Sequence, residues 1–302
     1  MDFRQLQYFA LVADSGSFRA AAGRANIAQS ALSRHIKILE EELGVKLLER
    51  HARGISLTPE GERMKERTSS ILRELADIRD EMSATKISPR GNVTIGASAT
   101  SSRLLYARLA EIVSQRYPLL ELNITEGASY FLLEGLDTGR VDLAIMVNPE
   151  PRTYFTIEPL VTESVYLIGS TSHCKFPAAN CTVDYLKGKP LILFSRPSGS
   201  RMMLEAAAAK ENIKLDVRFE ATSPDVIKDF VRRGLGYGLM PYSSIVSDIK
   251  GGELIGCRVQ TIELTRTLIK RIDRPASAAV DIIGDLVRSL FVTLHNEGVF
   301  GK

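Results

Sequence analysis

The 302-residue sequence predicts an α+β chain of several domains: a winged helix-turn-helix first, a long linker helix next, and an α/β region after it. Three observations carry this expectation. Apolar residues recur at helical spacing in three short segments before residue 44, and two strand-like runs around a basic, glycine-containing tip follow. From Thr58 onward, apolar positions alternate three and four residues apart, the spacing of a helix that pairs along a seam. Beyond Asn92, short apolar runs alternate with amphipathic ones, as strands covered by helices do.

In the first segment Leu6, Phe9, Ala10 and Ala13 repeat at helical spacing up to the break Ser15-Gly16-Ser17. Ser17 can cap a short second helix holding Phe18, Ala21 and Ala22, whose small residues allow close crossing. The turn Asn26-Ile27 leads into "AQSALSRHIKILEEELGVKLLER", residues 28–50. At about 100° per residue, Leu32, Ile36, Leu39 and Leu43 stack in one core-facing stripe. Ser30, Arg34 and Lys37 fall on the opposite side, flanked by Gln29 and Ser33. On a lone helix such a face is ordinarily just solvated. Preceded by a helix and a turn, it becomes the second member of a helix-turn-helix, able to lay its amino-terminal residues in a major groove of DNA. After Gly44, "VKLLERHARGISLT" reads as two short strands around a tip with Arg50, Arg53 and Gly54, a basic wing that can reach a minor groove.

Thr58-Pro59-Glu60 is a helix start: a cap, a proline in the first turn and an acid near the positive end of the dipole. Met64, Thr68, Ile71, Leu75, Ile78 and Met82 then form a heptad seam that would pair with a second copy. The alternative is a single amphipathic helix lying on its own domain. Ser88-Pro89-Arg90-Gly91 ends the helix, which sets domain boundaries at 1–58, 59–90 and 91–302.

In the last part, strands are expected at 93–96, 120–125 and 141–147, and, in a second unit beginning near Val165, at 190–194 and 215–221, with residues 264–272 leading back toward the last helix. Helices are expected at 102–117, 129–139, about 200–211, 224–233 and 276–296. Ligands of such sheets sit beyond the carboxyl ends of strands, against helix amino termini. "GASATSS" offers Ser98, Thr100 and Ser101 there, "EGAS" offers Ser129, and "SRPSGS" offers Ser195, Ser198 and Gly199. Singly, each reads as an ordinary cap or turn; at matched positions, they read together as a cleft. With Arg103 and Arg196 nearby, the cleft suits a small anion, a carboxylate metabolite or an inorganic ion. "GYGLMPYSS", with Gly236, Gly238 and Pro241, reads as a tight turn beside it and lacks the strand, spacing and ribose-binding acid of a dinucleotide loop.

The composition fits a sizeable core, with 44% hydrophobic residues. Net charge is +3, and residues 1–58 hold eight Lys or Arg against six Asp or Glu, so DNA binding must rest on where charge is placed. No apolar run is long enough to span a membrane, and "MDFRQLQYF" does not read as a signal peptide, so the expected place is the cytoplasm. Cys174, Cys181 and Cys257 suit a reducing compartment. His173, Cys174 and Cys181 lack a fourth ligand, so no metal is expected. There is no nucleophile elbow, zinc helix or phosphate loop, and His35, His51, His173 and His295 are expected far apart; neither an enzyme nor a cofactor is indicated.

Gly16-Ser17-Phe18 with Ala21-Ala22, Gln29-Ser30-Ala31-Leu32-Ser33, Leu39-Glu40, Leu43-Gly44 and Arg53-Gly54-Ile55-Ser56-Leu57-Thr58 together resemble the LysR-type transcriptional regulators. The resemblance is dense over about the first sixty residues and looser beyond, where the layout is similar to the nitrogen-assimilation and aromatic-catabolism branches; the stretch with His173, Cys174 and Cys181, read as a variable polar loop, points away from the peroxide-sensing one. Ser30 stands where many relatives have proline. The resemblance implies a regulator that binds double-stranded DNA, with Ser17, Gln29, Ser30, Ser33, Arg34, Lys37, Arg50 and Arg53 as candidate contacts. It also implies a two-lobed, periplasmic-binding-protein-like effector domain, lobe I at about 91–163 and 264–302 and lobe II at about 164–263. Self-association as a homodimer or homotetramer follows, with RNA polymerase as a further candidate partner. The competing expectation is a soluble small-molecule receptor or enzyme whose amino-terminal helices serve protein contact; salt-dependent binding to a duplex separates the two.

Overall fold

A computed structural model describes residues 1–51, 54–83, 89–176, 178–273 and 276–301 of the chain. It divides into one unit over 1–84 and 138–140, and another over 85–137 and 141–302. In the first unit Asp2 opens helix α1 (Phe3–Ser15) with a capping box: its carboxylate accepts from the Gln5 N–H at 2.7 Å, and the Gln5 side chain accepts from the Asp2 N–H at 2.8 Å. Gly16, left-handed at φ 58°, ends α1, and the Ser17 hydroxyl caps α2 (Phe18–Ala25). Helix α3 (Gln29–Leu43) follows the turn at Asn26.

Phe9 and Val12 of α1, Phe18, Ala21 and Ala22 of α2, and Leu32, Ile36 and Leu39 of α3 bury against one another. Two details depart from the sequence expectation. Val12, rather than Ala10 or Ala13, completes the buried stripe of α1, and Leu43 is 38% exposed. The stripe of α3 ends instead on Glu40, buried because its carboxylate accepts the backbone N–H groups of Leu47 and Leu48 at 2.8 and 3.2 Å. Strands β1 (Leu48–His51) and β2 (Gly54–Leu57) pair antiparallel as the wing, and the Ile55 N–H donates to the Gly16 carbonyl at 3.0 Å, tying wing to helix pair.

Thr58 caps α4 (Pro59–Ser83), accepting from the Gly61 N–H at 3.0 Å while its hydroxyl donates to the Lys46 carbonyl. Gly61 admits the close approach of this helix to the chain before the wing: a Cβ there would lie 2.0 Å from the Leu47 carbonyl oxygen. The heptad residues divide in two. Met64 packs on the core of this unit and Thr68 is fully buried, whereas Ile71, Leu75, Ile78 and Met82 are exposed, Met82 to 80%.

The second unit alternates β3 (Gly91–Ala97), α5 (Ala99–Arg116), β4 (Leu120–Glu126), α6 (Ser129–Thr138) and β5 (Leu143–Val147) before the long strand β6 (Phe155–Ser170). Then come β7 (Asn180–Cys181), β8 (Pro190–Phe194), α7 (Gly199–Lys210), β9 (Asp216–Ala221), α8 (Pro224–Arg232), β10 (Tyr237–Pro241), α9 (Val246–Lys250), the long strand β11 (Leu254–Arg271) and α10 (Ala278–Asn296). Among the described residues, a sheet runs in the order β4-β3-β5-β11-β6-β10-β8-β9, with β7 on β11. The antiparallel pair β6 and β11 forms the two crossings: Phe155–Ser164 face Glu263–Arg271 in one lobe, and Tyr166–Ser170 face Leu254–Arg258 in the other. Each lobe has its own apolar core, one around Val93, Leu105, Ile145 and Phe291, the other around Leu167, Leu191, Leu204 and Leu239.

Residues 237–241, expected as a turn, are strand β10, bonded between β6 and β8. The reason is burial: Leu239 and Met240 are core residues, and a Cβ at Gly238 would press on Ile168 and Val231. The glycines here make room for packing inside a sheet.

Candidate nucleic-acid face and effector cleft

Gln29, Ser30, Arg34 and Lys37 are exposed on α3, and Ser33 is half-buried beside them. Arg34 makes no hydrogen bond or ion pair among the described residues, and Lys37 meets only Glu41, one helical turn on, at 3.4 Å. The α3 amino terminus, at Ala28, has no side-chain cap, so its first N–H groups are open to an outside acceptor. Ser17 is engaged locally, accepting from the Ala20 N–H at 3.4 Å. Arg53 lies outside the described residues; Arg50 contributes its backbone to β1, and its side chain is likewise outside them.

Behind this face Glu40 holds the wing. Burial opposes its ionisation, but the Lys46 ammonium at 2.9 Å and the two backbone N–H groups outweigh burial and hold the carboxyl below its ordinary range.

In the second unit the strands β3 and β4 run parallel in lobe I, and β8 and β9 in lobe II, so each delivers the start of a helix to the same end of its sheet. The first residues of α5, α6 and α7, and Thr222-Ser223 just before α8, line one cavity of about 420 Å³. Ser98, Ser198 and Ser223 are amino-terminal caps whose side chains make no capping bond. Of the sequence-named residues, Ser98, Thr100, Ser129, Ser195, Ser198 and Gly199 line the cavity. Ser101 does not: it is fully buried, its Oγ 2.5 Å from Arg266 Nη1. Gly199 serves packing as well, since a Cβ would stand 2.3 Å from the Val147 carbonyl oxygen.

Sequence reasoning missed what lies beneath. Arg266 on β11 and Glu163 on β6 are both wholly buried and joined through Nε and Nη2 at 2.7 and 2.6 Å. Arg266 Nη1 also reaches Thr100 Oγ1 at 3.2 Å, and Nη2 reaches Ser243 Oγ at 3.1 Å. Glu163 accepts in addition from the Ser243 N–H at 2.9 Å. A signal was present: Leu264, Arg266 and Leu268 share one face at a period of two, and both leucines are core.

The cations expected to serve an anion are already paired. Arg103 of α5 meets Asp225 of α8 across the lobes at 2.5 Å, and Arg196 meets Glu205 at 2.6 Å. Among the described residues no Lys, Arg or His lines the cavity, and its one charged lining residue is Glu126. Of the cysteines, Cys181 and Cys257 are buried and Cys174 is half-buried, all as free thiols. Burial, with the adjoining Cys257 thiol, pushes the Cys181 thiol up to about 12, which keeps it protonated and unreactive. Among the described residues no group of His, Cys, Asp or Glu suits a metal, and no helix is long and apolar enough to cross a membrane.

A winged helix-turn-helix with an open polar helix, followed by a two-lobed α/β domain with a cleft at its helix starts, defines a DNA-binding regulator with an effector domain. Residues 3–62 match the bacterial regulatory helix-turn-helix proteins of the lysR family, and residues 86–291 match the LysR substrate binding domain. The chain belongs to the LysR family of DNA-binding transcriptional regulators. It is 30% identical to the HTH-type transcriptional regulator BbuR of Bordetella bronchiseptica, over 99% of this chain and 92% of that one. It is 28% identical to the hydrogen peroxide-inducible genes activator of Haemophilus influenzae, over 96% and 100%. Among solved structures, a full-length OxyR variant from Pseudomonas aeruginosa superposes with a TM-score of 0.74 at 25% identity, over 95% and 98% of the two chains. CbnR, complexed with its target DNA, shares the fold at a TM-score of 0.70 and 23% identity, over 96% and 100%.

Proposed function

We propose that this regulator acts as a homodimer or homotetramer on double-stranded DNA, and that a small effector with an anionic group, seated between the two α/β lobes, alters that binding. The observation that carries the effector reading is the opening of four helix starts into one cavity. Each presents N–H groups and the positive end of a dipole, and Ser98, Thr100, Ser129, Ser195 and Ser198 add neutral donors. Since a ligand shifts an equilibrium only through unequal affinity for its states, the effector must favour one arrangement of the lobes, and through it one arrangement of the oligomer.

On DNA, Gln29, Ser30 and Ser33 approach base edges at the start of α3, and Arg34 and Lys37 follow them along the groove. Arg50 and Arg53 serve the wing, and Ser17 lies at the start of α2. The exposed Ile71, Leu75, Ile78 and Met82 support pairing of α4 with a second copy. RNA polymerase is a further partner in this reading, and the cytoplasm its location.

Ser198→Phe fills the cleft from lobe II and leaves the sequence of α3 unchanged. Thermal-shift titration with carboxylates and inorganic anions, together with duplex footprinting, is expected to show duplex binding kept and the ligand response lost. A variant that still responds would remove the cleft from the proposal. Leu75→Glu is expected to separate the subunits in ultracentrifugation at micromolar concentration, because a carboxylate in a paired apolar stripe lacks a partner; an unchanged assembly would place the contact elsewhere.

A further inference from the structure

The two walls of the cleft differ in charge. Lobe II contributes Ser195, Ser198, Ser200, Thr222 and Ser223 and no carboxylate, so its wall receives an anion at the starts of α7 and α8. Lobe I contributes Glu126, at the carboxyl end of β4. Its carboxylate accepts from the Ser102 hydroxyl, and its charge, after burial, helps push the Tyr106 phenol above its usual range. No cation pairs with Glu126 among the described residues, and no basic side chain among them lines the cavity that could do so. An inorganic anion or plain carboxylate held in this space would meet the like charge of the exposed Glu126, with no cation in the lining among the described residues to offset it. Between the two walls the lining is apolar: Val147, Phe194, Pro241 and Leu264.

Resting on the cleft reading above, we infer that Glu126 sets the ligand class: the effector is a zwitterion, an amino acid with an apolar side chain, its carboxylate toward the α7 and α8 starts and its ammonium toward Glu126. Such a molecule spans both lobes and meets a complementary charge on each wall. The cavity, about 420 Å³, is of a size for a compact ligand of this kind.

The test is calorimetric titration of the full chain with L-leucine, L-methionine and L-phenylalanine, each beside its des-amino carboxylate and its decarboxylated amine. At least one amino acid is expected to bind, with both of its truncated analogues weaker by about tenfold or more, since a site built for a hydrogen-bonding group rejects the analogue that lacks it. Glu126→Gln is expected to weaken the amino acid by a similar factor and leave the des-amino acid unchanged or tighter. A des-amino acid that binds the native chain as well as its parent, or Glu126→Gln binding the amino acid undiminished, overturns the zwitterion while leaving the cleft in place. Binding that survives Ser198→Phe overturns the cleft reading itself. A panel in which no amino acid binds also defeats the inference.

Discussion

On α3, Ser30, Arg34 and Lys37 stand in solvent, and Lys37 is met only by the equally exposed Glu41. Around the cleft, Ser101, Arg103, Arg196 and Arg266 are each bonded to another side chain, most of them far away in sequence. Both regions look alike in composition, serines and arginines near helix starts. They differ in whether the protein has already used those groups. A helix face turned outward keeps its donors for an outside partner, whereas donors placed where two lobes meet are taken up by the join, and a ligand there must be held by backbone N–H groups and the remaining hydroxyls.

The sharpest way to break this contrast is at Arg266. Arg266→Met leaves Glu163 buried without its partner and is expected to cost about 3–5 kcal/mol, read by urea unfolding followed with a probe in the effector domain. Replacing both, Arg266→Met with Glu163→Leu, should recover most of that loss. If the single variant is as stable as the native chain, the pair does not join the lobes. On the DNA-reading side Glu40 is a buried charged group that the fold has already put to use. Glu40→Gln removes the charge that holds the wing and is expected to destabilise the first unit by about 1.5–3 kcal/mol at neutral pH. Because the folded carboxyl sits below its ordinary value of 4.5, its contribution is complete above that pH and fades as pH falls through the folded value. Native and variant stabilities should therefore converge in acid; parallel curves would contradict the assignment.

Arg34→Ala sharpens the other side of the comparison. If this unused guanidinium reads a base, the variant loses about 1–3 kcal/mol of operator affinity and selectivity at one position; loss spread evenly over all sequences would mean a phosphate contact. Unchanged operator binding would falsify the outward-facing role. Arg103→Ala should do least, about 0.2–1 kcal/mol, because its pair with Asp225 is exposed and screened; raising the salt concentration should shrink even that difference.

What the sequence made legible follows the same division. Period and caps placed α1, α2, α3, the wing and the polar face of α3, because each depends on residues within a few positions of one another. Many strands and helices of the lobes were legible for the same reason, down to the serines at helix starts, but β7, α9 and the full length of the crossing strands β6 and β11 were not, because the register of those two is set by pairing with each other about a hundred residues away. Partners more than a hundred residues apart were not: nothing local to Ser101 indicates Arg266, and nothing local to Arg103 indicates Asp225. The turn expected at 237–241 failed because glycine signals both bends and tight packing, and only the neighbours Ile168 and Val231 decide between them.

The join between the lobes has one further consequence. Glu163 and Arg266 sit on the two crossing strands and reach Ser101 on one side and Ser243 on the other. Sliding of lobes fastened in this way would strand a charge in a dry interior, whereas a rotation about the fastening would not. That makes the pair a fulcrum. A tilt too small to disturb bonds at the fulcrum grows with distance from it, and among the contacts that bridge the lobes the solvent-exposed pair of Arg103 and Asp225 is weak enough to let go.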